Sequence, residues 1–122
     1  MKSASLPLES RVGCISAAAD VIGQKWTALI LRDLHTEPKG FCELERTVEG
    51  INPRTLSQRL DELEQHGIIT KQACDGAPNR CEYHLTHKGR DLVPILRQMA
   101  EWGEKYPSST KESSFQRITQ PN

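Results

Sequence analysis

Between residues 51 and 69 the segment INPRTLSQRLDELEQHGII places Leu56, Leu60 and Leu63 at intervals of four and three, which puts them on one face of a helix. Asn52 suits the N-cap, because its side-chain oxygen can accept from a free backbone N–H, and Pro53 falls at the first helical position, where no N–H is needed. Ile51 before the cap and Leu56 inside it can close a hydrophobic staple. The opposite face carries Arg54, Gln58, Asp61 and Gln65, flanked by Thr55 and Ser57, with Arg59 at the border of the buried side. Arg and Gln are the side chains that pair bidentately with guanine and adenine, and small hydroxyls bond phosphate or base edges. Asp61, Glu62 and Glu64 would repel phosphate, so only the first two turns suit a major groove. An amphipathic helix with an ordinary solvated face has the same outline, so the flanking elements carry the decision.

Upstream, Val12 to Ile22 is a small, apolar run that predicts a closely packed first helix, interrupted by Gly23. A second helix is expected from about residue 25 to 34, with Trp26, Leu29, Ile30 and Leu34 inward, and a third from about 41 to 48, with Phe41, Leu44 and Val48 inward. Gly50 separates that third helix from the segment beginning at Asn52, which makes the pair a helix-turn-helix. Gly67 stops the fourth helix, and IITKQAC (68 to 74) and CEYHLT (81 to 86) read as two strands around the turn DGAPNR, a β-hairpin wing. Thr86 can cap a last helix from about 87 to 106, with Pro94 kinking it. In that helix Leu92, Ile95, Met99, Trp102 and Tyr106 repeat at three and four, the spacing of a seam that seeks a partner helix. Packing on the chain's own core is the alternative. Residues 1 to 10 read as a flexible arm, 11 to 106 as one domain, and 107 to 122 as a disordered Ser/Thr/Gln-rich tail.

At 122 residues the chain accommodates one core, and its low aromatic content of 5% favours helices with a small sheet over a β-sandwich. The formal net charge is zero, so any affinity for nucleic acid must come from local clustering of Arg54, Arg59, Lys71 and Arg80. Lys25, at the start of the second helix, is a further phosphate candidate. No apolar run reaches bilayer length and MKSASLPLESR lacks a signal-peptide core, so a cytoplasmic protein without a membrane partner is expected. Four cysteines, Cys14, Cys42, Cys74 and Cys81, are too few and scattered for a secreted disulfide framework. Cys74 and Cys81 flank the wing turn, where they could face each other across the strands, and Cys42 reads as a core residue or a second reactive thiol. A zinc site from Cys74, Cys81, His84 and His87 is rejected: on an extended strand Cys81 and His84 point to opposite faces, and His87 lies about 20 Å beyond Cys81. No cofactor is expected, and no catalytic constellation is present to suggest an enzyme.

The order of helix, helix, helix-turn-helix, wing and terminal helix resembles the HxlR-type winged-helix transcriptional regulators, relatives of the MarR group. The resemblance is carried by Cys14, IGQKWTALILRDL, PKGFCEL, INPRTLSQRLDELEQHGII and EYHLTHKGRDL, and spans nearly everything from residue 14 to 106. It implies a mainly α winged helix-turn-helix whose homodimer is built by the N- and C-terminal helices, binding double-stranded operator DNA with one recognition helix and one wing per subunit. In that arrangement Arg54, Thr55, Ser57 and Gln58 would meet bases or nearby phosphates, and Arg59, Lys71 and Arg80 the backbone. Many members carry an N-terminal cysteine that senses oxidants or electrophiles, and Cys14 stands at that position. A thiol in the first turn of a helix with Arg11 nearby suits such a role, and a small side chain buried at the dimer interface is the alternative. The inducer is left open. A winged helix that contacts a protein instead of DNA is the rival reading, which the neutral charge permits.

Overall fold

The computed structural model describes residues 7–74 and 76–107, with the side chains of 77–79 left aside. A 3-10 turn at Leu8–Ser10 leads into helix α1 (Val12–Ile22), followed by α2 (Lys25–Thr36), α3 (Phe41–Thr47) and α4 (Pro53–Gln65). A two-stranded antiparallel hairpin, β1 (Ile69–Cys74) and β2 (Ala77–Leu85), precedes the short α5 (His87–Arg90) and the longer α6 (Val93–Lys105). The architecture is therefore mainly helical with a β-hairpin wing, a winged helix-turn-helix. The expected arm lies within the described residues only at its inner end, where Leu8–Ser10 forms the turn, and the expected tail beyond residue 107 lies outside them.

α2 is the central element, touching α1, α3, α4, α6 and β2. Because it is approached from several sides, its buried set is Thr27, Ile30, Leu31 and Leu34, while Trp26 and Leu29 sit half-buried at the margin. The inward face is thus rotated from the one expected, and Leu31, fully buried, is its centre. Ile22 from α1, Leu44 from α3 and Val48 just after it, Ile51 before α4, Leu56, Leu60 and Leu63 from α4, and Ile68, Ile69, Tyr83 and Leu85 in and beside the wing complete the core.

Three local devices join these elements. Gly50 (φ +90°) and Gly67 (φ +72°) take the left-handed conformation that L side chains rarely adopt, and so bracket α4 with abrupt turns. Lys39, in the loop after α2, forms an isolated antiparallel bridge with Tyr83: the Tyr83 N–H donates to the Lys39 carbonyl at 2.8 Å and the Lys39 N–H to the Tyr83 carbonyl at 3.3 Å. The Lys39 ammonium folds back to donate to the Asp33 carbonyl (3.2 Å) near the end of α2, which satisfies a buried cation at a helix C-terminus. Thr86 is the third device. Its hydroxyl accepts from the Gly89 N–H (3.1 Å) to cap α5 and donates back to the Gly67 carbonyl (2.6 Å), while Lys88 donates to the His66 carbonyl at 2.7 Å. The end of α4, the end of β2 and the start of α5 therefore meet at one junction.

Two expectations are corrected. The second wing strand begins at Ala77, not Cys81: the pairing runs Ile69 with Leu85 to Ala73 with Cys81, then jumps to Cys74 with Ala77, so residues 78–80 have no counterpart on β1. An unpaired excursion tolerates Pro78, which has no N–H to donate, and Gly76 (φ +75°) supplies the turn. The same jump separates Cys74 from Cys81 in register. Cys81 faces Ala73, Cys74 faces Ala77, and both thiols are free. Second, the terminal helix is two helices, not one kinked helix. Without an N–H to give to the Arg90 carbonyl, Pro94 cannot continue α5, but it fits the first turn of a new helix, which starts at Val93 with Leu92 as its N-cap. Leu92, expected in the partner-seeking seam, consequently packs half-buried on the chain's own core, and the exposed apolar positions begin at Ile95.

Candidate nucleic-acid interface

α4 begins where its cap chemistry dictates. The Thr55 N–H donates to the Asn52 side-chain oxygen at 2.9 Å, Pro53 follows the cap, and Ile51 and Leu56 are both buried. With Leu56, Leu60 and Leu63 buried, the helix presents Arg54, Ser57, Gln58, Asp61 and Gln65 to solvent and leaves Thr55 half-exposed. Charge divides along it: Arg54 and Arg59 lie in the first two turns, and Asp61, Glu62 and Glu64 in the last. The exposed N-terminal half also carries the positive end of the helix dipole, so this half, and not the acidic one, is fit to approach phosphates.

Arg59 is more engaged than the other candidates. It is half-buried, and its Nη1 pairs with the Glu62 carboxylate at 3.4 Å, one turn along the helix. To reach a phosphate it would exchange that partner. Lys71 and Arg80 are exposed on the wing and open onto one groove that also receives Arg46, from the last turn of α3. The Lys71 ammonium stands 5.9 Å from the centre of the Tyr83 ring, across the hairpin. Tyr83 itself is buried, and desolvation raises its phenol above the ordinary value of 10.0, a shift that the neighbouring Lys71 charge opposes. Lys25 occupies the first position of α2, exposed, with its ammonium 4.6 Å from the Trp26 ring. Arg46 was not singled out in the sequence: its proximity to the wing depends on α3 packing against β2.

Away from this surface, α1 and α6 both pack on α2 and leave apolar side chains outside. Val12 and Ile15 on α1, and Ile95, Met99, Trp102 and Tyr106 at the other end of the chain, are exposed, Trp102 to 66%. The Trp102 and Tyr106 rings lie 5.2 Å apart. Cys14 is exposed in the first turn of α1, between Val12 and Ile15. Among the described residues no group of three or more His, Cys, Asp or Glu is arranged to hold a metal ion, and no helix is long and apolar enough to cross a membrane.

Comparison with known proteins places these features in a family. The sequence profile of the HxlR-like helix-turn-helix family matches residues 21–111. An HTH-type transcriptional regulator of Methanothermobacter thermautotrophicus is 37% identical over 99 residues, covering 81% of this chain and 76% of the relative. Among solved structures, the reduced form of the transcriptional regulator YodB from B. subtilis superposes with a TM-score of 0.68 at 32% identity, covering 77% of this chain and 92% of YodB. The redox regulator HypR in its oxidised form superposes with a TM-score of 0.71 at 37% identity, covering 77% of this chain and 97% of HypR.

Proposed function

The chain belongs to the HxlR-like helix-turn-helix family of transcriptional regulators, and from that premise we propose that it works in the cytoplasm, without catalysis, as a homodimer on a roughly palindromic operator. The observation that carries this reading is the exposed N-terminal half of α4, with Arg54, Ser57 and Gln58 turned to solvent by the burial of Leu56, Leu60 and Leu63. Arg54, Thr55, Ser57 and Gln58 read bases or adjoining phosphates, while Arg59, Lys71, Arg80 and Lys25 hold the backbone. The apolar outer faces of α1 and α6, with Ile95, Met99, Trp102 and Tyr106 as the seam, supply the two-fold contact. Leu92 supports that seam from within, since it packs on the subunit's own core. Two-fold symmetry sets the half-sites about one helical turn, or a multiple of it, apart.

Cys14 is the proposed sensing thiol. It is exposed in the first turn of α1, a helix assigned to the dimer, so a bulky or charged oxidation product there would disturb the contact that spaces the recognition helices. The similarity to YodB and to the redox regulator HypR supports this assignment.

Fluorescence anisotropy against the duplex upstream of the chain's own gene, followed by selection from random duplexes, tests the DNA reading. Specific, salt-sensitive binding is expected, because counterion release accompanies phosphate contacts. Failure to select any sequence would overturn it and favour a protein partner. For the switch, a variant retaining only Cys14 (Cys42→Ser, Cys74→Ser, Cys81→Ser) should lose specific binding on treatment with diamide and glutathione and regain it with dithiothreitol. Indifference to that cycle would remove Cys14 from the mechanism.

A further inference from the structure

Three cations face one recess without a counter-charge. Arg46 in the last turn of α3, Lys71 on β1 and Arg80 on β2 line a groove of about 600 Å³ between the first helix of the helix-turn-helix and the wing. Among the described residues none of the three forms an ion pair, and Lys71 has only the Tyr83 ring, 5.9 Å away. Glu43 and Glu82 line the same groove but do not reach them: Glu82 lies 3.7 Å from His84, on its own strand. Like charges gathered in this way repel one another, and an anion supplied from outside relieves the repulsion. The floor for such a ligand is already built, because the Tyr83 backbone is tied to Lys39 by two hydrogen bonds. Cys42, Cys74 and Cys81 complete the walls with small side chains, and the volume is that of a small-molecule site.

The chemistry of the lining residues falls into three kinds. Guanidinium groups bind phosphate oxygens in a bidentate fork, and an ammonium adds a point charge, which suits Arg46, Arg80 and Lys71 to a phosphate. Phe41, half-buried, offers ring surface to a flat body. Glu43 and Glu82 can accept from hydroxyl groups, as acidic side chains do toward a ribose. Phosphate, flat ring and hydroxyl-bearing sugar together make a nucleotide. We propose that this groove binds a nucleoside monophosphate non-covalently, with its phosphate on Arg46, Lys71 and Arg80, its base against Phe41 and its sugar hydroxyls on Glu43 or Glu82. The regulatory consequence rests on the operator-binding reading: Lys71 and Arg80 are then wanted by both the nucleotide and the DNA backbone. Each ligand weakens the other, and by the same factor.

The test is calorimetric titration of the full chain with AMP, GMP, CMP and UMP in turn, and with inorganic phosphate and the free nucleosides as the separated halves. At least one nucleotide should bind with one site per chain, at least roughly tenfold more tightly than either half, a step of about 1.4 kcal/mol. No binding by any of the four, or phosphate alone binding as tightly, overturns the nucleotide site. Arg46→Gln should weaken the nucleotide by roughly tenfold or more, and Phe41→Leu should weaken the nucleotide while leaving inorganic phosphate unaffected. An Arg46→Gln protein that binds the nucleotide like the parent overturns the assignment to this groove. Should Phe41→Leu not fold, as judged by circular dichroism, Arg46→Gln decides alone, since Arg46 is exposed. Operator affinity measured by anisotropy, with the nucleotide at about 100 times its dissociation constant, should fall at least roughly tenfold for the parent and remain unmoved by nucleotide in Arg46→Gln. An unchanged parent affinity overturns the regulatory consequence. If the protein free of nucleotide binds no selected duplex, the operator reading has failed, while the calorimetry still decides the site.

Discussion

Replacing Thr86 by Val keeps the shape of a half-buried β-branched side chain and deletes its hydroxyl, which holds the junction of α4, β2 and α5. Two bonds go. The Gly89 N–H loses its acceptor at 3.1 Å, and because Gly89 is buried beneath Ile68 and Leu85, water does not readily replace it. An unsatisfied donor of this kind costs about 1–3 kcal/mol. The bond to the Gly67 carbonyl at 2.6 Å is more exposed and contributes about 0.5 kcal/mol, since solvent can take its place. The Ile68 carbonyl, 3.0 Å from the Thr86 hydroxyl and a second acceptor for the same proton, keeps its bond from the Thr86 backbone N–H (3.0 Å) and adds little to the loss. The sum is about 2 kcal/mol, which lies at the upper end of cap deletions and corresponds to a fall of roughly 8–16 °C in Tm for a domain of this size. Urea unfolding of reduced protein at one fixed concentration, followed by far-ultraviolet circular dichroism, measures it. The midpoint should drop with the m-value unchanged. A Thr86→Val variant within about 0.5 kcal/mol of the parent would show that the junction is held by packing alone, and would refute the hydrogen-bond argument.

Gly89→Ala adds a Cβ that collides with the Ile68 carbonyl and crowds Leu85 at 3.2 Å, so it should cost about 2 kcal/mol in the same urea assay; a neutral result would mean that α5 is free to shift. The raised Tyr83 phenol gives a pH signature: the folded state holds its proton more firmly than the unfolded one, so this contribution is complete below pH 10.0 and is lost as pH rises through the folded value. Tyr83→Phe should flatten that alkaline decline in a pH series of urea midpoints, and an unaltered slope would assign the decline to other groups. Gln58→Ala should reduce discrimination at one base pair per half-site, whereas Arg80→Ala should weaken all duplexes alike and lower the salt slope by about one. Equal losses on every duplex from both would refute the division between base and backbone contacts. Trp102→Ser, on a 66% exposed side chain, should raise the dimer dissociation constant by roughly tenfold in sedimentation equilibrium, and an unchanged constant would place the interface elsewhere.

Local chemistry in the sequence located α1 from Val12 to Ile22 and the start of α4 at the Asn52-Pro53 pair, because a cap and a periodic apolar run need no distant partner to be read. Leu31 was not legible: it is buried only because α2 is enclosed by several elements, and its spacing alone does not distinguish it from Trp26 or Leu29 at the margin. The beginning of β2 was hidden by Pro78, which local rules place in a turn and which the structure accommodates in an unpaired stretch of strand. Pro94 reads from the sequence as a kink inside one helix, because whether the chain kinks or restarts there depends on Leu92 finding the core. Of the candidate site, the exposed set on α4 was visible from periodicity. Arg46 and the convergence of Cys42 with Cys74 and Cys81 were not, since the whole of α4 lies between α3 and the wing in sequence, and it is the Lys39 to Tyr83 bridge and the packing of α3 on β2 that bring them together.

The break at Leu92 gives the last part of the chain the geometry of a lever. α5 is fastened through Thr86 and Lys88 to the end of the recognition helix, while α6, thirteen residues long, starts afresh beyond the joint. At 1.5 Å per residue α6 is about 20 Å long, so a rotation of about 10° at the joint carries its far end, with Trp102 and Tyr106, through roughly 3.5 Å. In the proposed homodimer the same arithmetic would run backwards: with the two seams clasped together, a small rotation at each joint would return as a change of several ångströms in the distance between the two α4 helices. DNA has a fixed pitch, and a gauge set wrong by that much no longer fits it.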